Sequence, residues 1–169
     1  KRILRRKNDY AYLENGADLV GIQLIPASPV MFFEKMLAEI HLFKIRLYEE
    51  WRGGKNIYMC FGPARSFSKR LYTTLRYPDD YPTDAYSYLF AKREGYTFVP
   101  ISNPPAIFKV PSTFTDYMRQ SSRFSSGNVK LASIFDAKLL HTELAISPFI
   151  FFRALLIELI AHPVYLICF

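Results

Sequence analysis

The sequence predicts an α/β layered domain followed by an apolar helix, and three observations support this. Short, apolar, β-branched segments alternate along the chain with segments whose apolar residues recur at helical spacing. The last stretch of the chain, Ser147 to Phe169, is mostly apolar. Half of the 169 residues are hydrophobic and only 22% are charged, which excludes an intrinsically disordered chain and allows one domain with a buried core.

The first strand and the first long helix are predicted between residues 19 and 54. Leu19 to Ile25 is a short apolar segment that ends at a proline, as expected of a buried central strand. Ser28 offers a helix N-cap and Pro29 suits the first helical position. Apolar residues then recur at helical spacing until Gly53 and Gly54, which predicts a long amphipathic helix.

A second strand is predicted at Ile57 to Phe61. It opens into Gly62-Pro63-Ala64, a turn of small residues where a backbone can approach a ligand closely. Ordinary termination of a strand explains the same three residues equally well.

The segment from Tyr77 to Asp84 is too rich in proline and aspartate to form a helix or a strand. We interpret Asp79 and Asp80 within it as a solvated turn. A helix is expected from Asp84 to Glu94, with Gly95 as its C-terminal stop.

Two further strands and a capped helix are predicted next. The strands are Tyr96 to Ile101 and Ala106 to Val110, separated by Asn103-Pro104-Pro105. Thr113 and Asp116 then form a T-x-x-D capping pair, which predicts that a helix begins there.

A flexible break is predicted at Ser125 to Asn128, where small polar residues and a glycine follow one another. We therefore divide the chain after this break. Residues 1–128 form the layered domain, and residues 129–169 form an amphipathic segment and a hydrophobic, membrane-associated helix.

The net charge of +7 comes entirely from the first part of the chain. Residues 1–76 carry 14 Lys and Arg against 7 Asp and Glu, whereas residues 77–169 carry 8 against 8. A solvated or lipid-facing surface is the preferred interpretation of the basic start. Nucleic acid is not expected as a partner, because no recognised nucleic-acid-binding motif accompanies the basic residues.

The apolar tail is interrupted by Arg153, Glu158 and His162. One interpretation is an interfacial helix that runs into a transmembrane span, with Arg153 reaching the lipid headgroups. The other is a core helix of a soluble domain. We favour the membrane, because a helix with aromatic residues on every face needs more protein around it than this chain supplies.

The cysteines and histidines predict neither a disulfide framework nor a metal site. Cys60 and Cys168 have no metal-ligand spacing, and a reducing compartment is expected. The three histidines, His41, His141 and His162, are isolated in the sequence and are interpreted as core or surface residues. Common nucleotide-binding, hydrolase and metalloprotease motifs are absent from the sequence.

The order of the remaining features resembles the second half of a membrane-associated family 2 glycosyltransferase, the group that contains cellulose, chitin and hyaluronan synthases. In that family a T-E-D or E-D motif begins a helix, and a Q-x-x-R-W motif follows before the membrane helices. Here Thr83-Asp84 keeps the aspartate without the glutamate, and Gln120-Ser121-Ser122-Arg123-Phe124 has Phe in place of Trp. The resemblance covers about residues 10–169 and implies part of a GT-A-like domain.

The resemblance implies that Asp84 is the catalytic base. In an inverting transfer, a carboxylate takes the proton from the acceptor hydroxyl as that hydroxyl attacks the anomeric carbon. A position at a helix N-terminus would keep such a carboxylate ionised. By residue statistics alone, Asp84 would be read as an ordinary N-cap.

The resemblance also implies residues for diphosphate and acceptor binding. Arg123 would stabilise the charge that develops on the diphosphate leaving group. Gln120, on the same predicted helical face, would bind the diphosphate or the acceptor, and Phe124 would stack on an acceptor sugar. Gly62 and Ala64 correspond to small residues that line the acceptor channel. An ordinary amphipathic helix explains Gln120, Arg123 and Phe124 as well.

The donor side of the family lies upstream of the matched region. The D-x-D motif that holds Mg²⁺ or Mn²⁺, and the uridine pocket, are absent from this sequence, so no metal ligand is assigned within it. The expected partners of the complete enzyme are a nucleotide-sugar donor, a glycan or lipid acceptor and membrane lipids, with the catalytic domain on the cytoplasmic side. The chain alone is expected to be inactive. The alternative is a non-catalytic, membrane-bound α/β interaction module.

Overall fold

The computed structural model describes residues 7–79 and 81–163, without the side chains of residues 7–10, 123–126 and 128. The fold is mixed α/β, with helices packed around a small sheet of strand order β2-β1-β3. The helices and strands of the described chain are α1 (Lys7–Glu14), β1 (Leu19–Pro26), α2 (Phe32–Glu50), β2 (Arg65–Phe67), α3 (Lys69–Thr74), α4 (Thr83–Arg93), β3 (Phe98–Phe108), α5 (Phe114–Leu131), α6 (Ala137–Leu144) and α7 (Pro148–Ala161).

Strand β1 is the centre of the sheet, as the sequence predicts. It pairs antiparallel with β2 and parallel with β3, and its first six residues are buried. Both faces are covered, which explains why the strand is a continuous apolar run without alternation. Gly21 allows the carbonyl of Met59 to approach the strand, since a Cβ at this position would collide with it.

The two strands predicted between residues 96 and 110 are one strand, β3. The Asn103–Pro104 peptide bond is cis, and the pairing of β1 with β3 shifts register between Ile22 and Leu24. The prolines are therefore absorbed as an irregularity within an edge strand instead of ending it.

Helix α2 begins at Phe32, three residues later than predicted from Ser28 and Pro29. The cap is made by Glu34, whose carboxylate accepts the N–H groups of Val30 and Met31 at 3.0 and 3.2 Å. These two hydrogen bonds hold the pKa of Glu34 below its usual value.

The strand predicted at Ile57 to Phe61 is wrong, because this segment begins with a 3-10 turn at Ile57–Met59. The fully buried Asn56 holds it there. Its amide donates to the carbonyls of Tyr48 and Trp51 at 2.7 and 2.8 Å and its oxygen accepts the N–H of Tyr58 at 3.1 Å. The Asn56 side chain thus satisfies backbone hydrogen-bonding groups locally, in place of the partners that a neighbouring strand would supply in a sheet.

Helix α4 is confirmed within one residue at each end, and Gly95 follows it with a φ of +74°. Its Tyr88 is fully buried in the main core. The Tyr88 hydroxyl donates to the buried carboxylate of Glu143 at 2.8 Å, and Arg52 donates to the same carboxylate at 3.0 Å. Helix α6 is thereby fixed to the body of the domain.

The flexible break predicted at Ser125 to Asn128 is also wrong, since α5 continues through these residues to Leu131. Gly127 is buried against Pro82, and a Cβ on Gly127 would stand 2.9 Å from Cγ of that proline. A glycine here therefore serves close packing between α5 and the segment before α4. The division proposed after residue 128 falls inside α5.

Helices α6 and α7 are separated by residues 145–147, and Pro148 is the first residue of α7. Helix α7 packs beside α2 through polar contacts, with Arg46 on Glu158 and Arg153 on Glu50. By length and composition, Ala137–Ala161 is a candidate membrane span, and only 11% of its most apolar window is buried. The rest of the predicted tail, residues 164–169, lies outside the described residues.

Candidate active site

Asp84 lies at the second position of α4, half-buried, with its carboxylate at the helix N-terminus. Oδ1 accepts the N–H of Ala85 at 2.9 Å. Oδ2 faces Gly62, where a Cβ would be 3.5 Å away. The helix is capped at Pro82 without a side-chain bond, so the N-cap position belongs to Pro82 and Asp84 follows inside the helix. The N-terminal end of a helix favours a negative charge at this place.

Of the two small residues predicted to line a channel, only Gly62 lies beside Asp84. Ala64 is buried in a second core cluster with Val20 and Ile22, and its carbonyl accepts the N–H of Ile22 at 2.8 Å. Ala64 therefore packs against the sheet, and Gly62 is the residue that leaves room in front of the carboxylate.

Arg65 joins the Gly62 turn to the start of α4. Its guanidinium donates to the carbonyl of Gly62 at 3.0 Å, to the carbonyl and hydroxyl of Thr83, and to the hydroxyl of Ser87 at 2.7 Å. The planar guanidinium carries several N–H donors and can therefore bind these carbonyl and hydroxyl oxygens together. No local pattern in the sequence singles out Arg65, because its partners Thr83 and Ser87 are 18 and 22 residues away along the chain.

Cys60 lies beneath the same helix start. Its Sγ donates to the backbone carbonyl of Asp84 at 3.6 Å. Complete burial raises the pKa of the Cys60 thiol to about 12, although the charge of Arg65 acts in the opposite direction. A thiol held neutral in this way is a packing group and not a nucleophile.

Helix α5 approaches Asp84 from the side of the preceding segment. Besides the contact of Gly127 with Pro82, the Tyr81 hydroxyl lies 3.1 Å from that of Ser133, and the Lys130 ammonium lies 5.9 Å from the centre of the Tyr81 ring. The C-terminal part of α5 and the turn after it are therefore packed against Tyr81 and Pro82, which lead into Thr83-Asp84.

The predicted motif residues lie on this helix. Arg123 and Gln120 precede Gly127 by one and two helical turns, so the three positions share one face of α5. Gln120 is half-buried. The side chains of Arg123 and Phe124 lie outside the described residues. The contacts that α5 makes with the segment before Asp84 are at Gly127 and Lys130, C-terminal to the Gln-x-x-Arg segment.

His41 borders this region from α2. Its ring lies between Phe61 and Phe108, with centroid distances of 6.0 and 4.7 Å, and Nε2 donates to the carbonyl of Leu24 at 2.9 Å. Burial lowers the pKa of His41, so the ring is neutral near pH 7. These contacts are those of a core histidine.

Asp79 is exposed in a turn, whereas Asp80 lies outside the described residues.

Asp18 and Arg70 form a second ionic group, at the start of β1. The buried carboxylate accepts from the Arg70 guanidinium, from the Ser68 hydroxyl at 2.9 Å and from the N–H of Thr97 at 3.1 Å. Burial alone would raise the pKa of Asp18, but these hydrogen bonds together lower it. Arg70 is therefore paired with Asp18.

His162, isolated in the sequence, lies close to two carboxylates in the fold. The ligand atoms of Glu39, Glu158 and His162 all lie within 4.8 Å of one another. The carboxylates come from α2 and α7, and no local pattern in the sequence places them together. Nothing in this cluster identifies Mg²⁺ or Mn²⁺ as a bound ion.

The outer face of α7 is apolar. Phe149, Phe152, Leu156 and Ile160, at i, i+3, i+7 and i+11, are all more than half exposed, and Phe149 and Ile160 are 74% and 76% exposed. The face toward α2 instead carries the small Ala154 and the charged Glu158. In an ordinary surface helix the apolar face is turned toward the core and the charged face toward solvent, so α7 has the opposite arrangement.

Comparisons with protein-family models, with curated proteins and with solved structures found no match to this chain.

Proposed function

We propose that this chain is the acceptor-side part of an inverting glycosyltransferase that works at a membrane, with a GT-A-like arrangement of which these residues form one half. The observation that carries the proposal is the packing of α5, through Gly127, against the segment that leads into Asp84. In the resembled family the two motifs belong to one site, and this contact between α5 and Pro82 supports the same arrangement here.

The proposed chemistry divides the work between these two elements. Asp84, with Gly62 in front of it, takes the proton of the acceptor hydroxyl as the glycosidic bond to the diphosphate breaks. Arg123 stabilises the negative charge on the departing nucleoside diphosphate, and Gln120 binds the diphosphate or acceptor. Phe124 stacks on the acceptor sugar. The divalent ion and the nucleoside are held by residues outside this sequence.

Membrane attachment is proposed to occur through α7. Helix α6 is held in the body by the contacts of Glu143 with Tyr88 and Arg52, so α7 is the part of the candidate span that remains to meet lipid. Its 14 residues extend about 21 Å, less than the roughly 30 Å of a bilayer core. An interfacial position, with the apolar face toward lipid, fits this length.

The test of the proposal is Asp84→Asn in the native protein that contains these residues. Loss of the base should lower sugar transfer by about 10² to 10⁴-fold, whereas binding of the nucleotide sugar should change little. Transfer is measured with a radiolabelled donor and donor binding by calorimetry.

The matched control is Asp79→Asn, which changes an exposed aspartate five residues earlier. It should transfer sugar like the parent. Unchanged turnover in Asp84→Asn would remove the catalytic assignment and leave the non-catalytic membrane module as the better description.

A further inference from the structure

The cluster of Glu39, Glu158 and His162 lies at the interface between α2 and α7. Glu158 lies in the last turn of α7, and His162 is the residue that caps the C-terminus of that helix, with its N–H donating to the carbonyl of Glu158 at 2.8 Å. Glu39 projects from α2 toward them, and all three ligand atoms lie within 4.8 Å of one another.

The three groups converge without bonding to one another. In the part of the chain that the structure describes, neither the Glu39 carboxylate nor the His162 ring makes a hydrogen bond or an ion pair. Atoms bound to a common metal at about 2.0–2.2 Å are separated by about 3–4 Å. A small closure of the cluster would therefore bring all three onto one ion.

The charges of the cluster also favour a cation. Glu158 is only 4% exposed, and a buried carboxylate requires compensation. Arg46 contacts one of its oxygens, Oε2, and leaves Oε1 for a second partner. Glu39 adds a second carboxylate, with its ligand atom within 4.8 Å of those of Glu158 and His162.

We propose that Glu39, Glu158 and His162 bind a divalent transition-metal ion, with Zn²⁺ as the best candidate, and that the ion fastens α7 to the body of the domain. One imidazole and two carboxylates suit zinc, whereas Mg²⁺ and Ca²⁺ prefer oxygen ligands alone. The role is structural. Glu39 and His41 are two residues apart on α2 and therefore point to opposite sides, and His41 is the one that borders Phe61 and the Gly62 turn.

The test is a titration of the full chain, held in detergent micelles, with Zn²⁺ alone as the probe. The parent should bind one equivalent, and Co²⁺ in its place should give visible absorption bands of a low-coordinate site. Glu39→Gln and His162→Gln should each weaken binding by about 10- to 100-fold or more. His141→Gln, which changes an exposed histidine on α6, should bind like the parent.

Arg46→Gln separates this proposal from a simple ion-pair interface. With a metal site, removal of the guanidinium frees a carboxylate oxygen, so the variant should bind Zn²⁺ at least as tightly as the parent and regain thermal stability when zinc is added. Absence of stoichiometric binding by the parent would overturn the proposal. So would equal affinity in Glu39→Gln, His162→Gln and parent, or an Arg46→Gln protein whose lost stability zinc does not restore.

Discussion

At the scale of single residues, the position of Asp84 depends on Arg65. The guanidinium holds the Gly62 carbonyl and both oxygens of Thr83, so the turn and the helix start cannot move apart without breaking its hydrogen bonds. Because the N–H groups of the Arg65 guanidinium are occupied by these hydrogen bonds, Arg65 acts as a positioning residue and not as a ligand for phosphate.

Arg65→Lys is expected to preserve the charge and the fold but to loosen Asp84. A displacement of about 1 Å at a reacting group reduces turnover by about 10²-fold, so transfer by the native protein should fall by about that factor. Arg76→Lys, at an exposed arginine, should leave transfer unchanged. Parent-like transfer by Arg65→Lys would show that the four hydrogen bonds do not position Asp84 for the proposed reaction.

Asp18 is expected to make stability depend on acid pH. Its pKa in the folded protein is lower than the ordinary value of 3.8, so its contribution is complete above that value and is lost as the pH falls through the folded pKa. Asp18→Asn should lose roughly 1–3 kcal/mol of unfolding free energy at neutral pH. Urea unfolding measured down to pH 3 should show a smaller acid loss in the variant than in the parent.

The control for this comparison is Asp79→Asn, whose carboxylate is exposed in a turn. Its stability should stay close to that of the parent, since exposed charges contribute little. Equal acid sensitivity in the parent and Asp18→Asn would contradict the assigned role of the Asp18 cluster.

At the scale of elements, the sequence predicts β1, α4 and the cap of α5 because each is fixed by local patterns. The Asp116 N–H, for example, donates to the Thr113 hydroxyl at 3.1 Å, as an N-cap requires, and this hydroxyl donates to the Asp116 carboxylate at 2.8 Å. The predictions are wrong where a contact between residues distant in the sequence determines the local structure. Asn56 supplies backbone partners to residues that read as a strand, and Pro82 packs on the glycine that reads as a break. Strand β2 is only three residues long and has no periodicity to detect.

In the candidate site, too, local patterns predict some features and contacts between distant residues determine the others. Asp84 at a helix start is readable from its neighbours, and so is Gln120 on a helical face. The packing of α5 against the segment before α4 is a tertiary contact, which no local pattern predicts. The role of Arg65 depends on the same kind of long-range geometry, so no local pattern reveals it.

Gly127→Ala tests the contact between α5 and the Asp84 segment. Helix propensity alone would stabilise the variant by about 1 kcal/mol, because alanine is the better helix former. The added Cβ would however stand 2.9 Å from Pro82 Cγ, in a rigid ring, so we expect lower stability and reduced transfer.

Ser122→Ala, at an exposed position of the same helix, is the matched control and should be neutral or slightly stabilising in thermal unfolding. If Gly127→Ala were instead more stable than the parent and fully active, α5 and Pro82 would not be packed as described.

At the scale of the whole molecule, the outward apolar face of α7 should determine membrane binding. Burial of a Phe or Ile side chain contributes about 1.5–3 kcal/mol. The triple change Phe149→Ser, Phe152→Ser and Ile160→Ser should therefore abolish cosedimentation with phospholipid vesicles.

A matched triple change at exposed apolar residues elsewhere, Tyr72→Ser, Ile107→Ser and Val129→Ser, should leave vesicle binding intact. Equal loss in the two triple variants would mean that lipid contact is spread over the surface, and retention in both would exclude α7 as the attachment.

The irregular proline-rich strand has a consequence for how copies of this protein meet one another. In the described sheet β3 forms one edge, and Pro100, Pro104 and Pro105 remove three backbone donors from it; the other edge, β2, spans only three residues. Neither edge offers a long row of N–H groups on which a foreign strand can grow. Away from lipid, aggregation should therefore begin at α7, and the Phe149, Phe152 and Ile160 serine variant should remain monodisperse where the parent clusters.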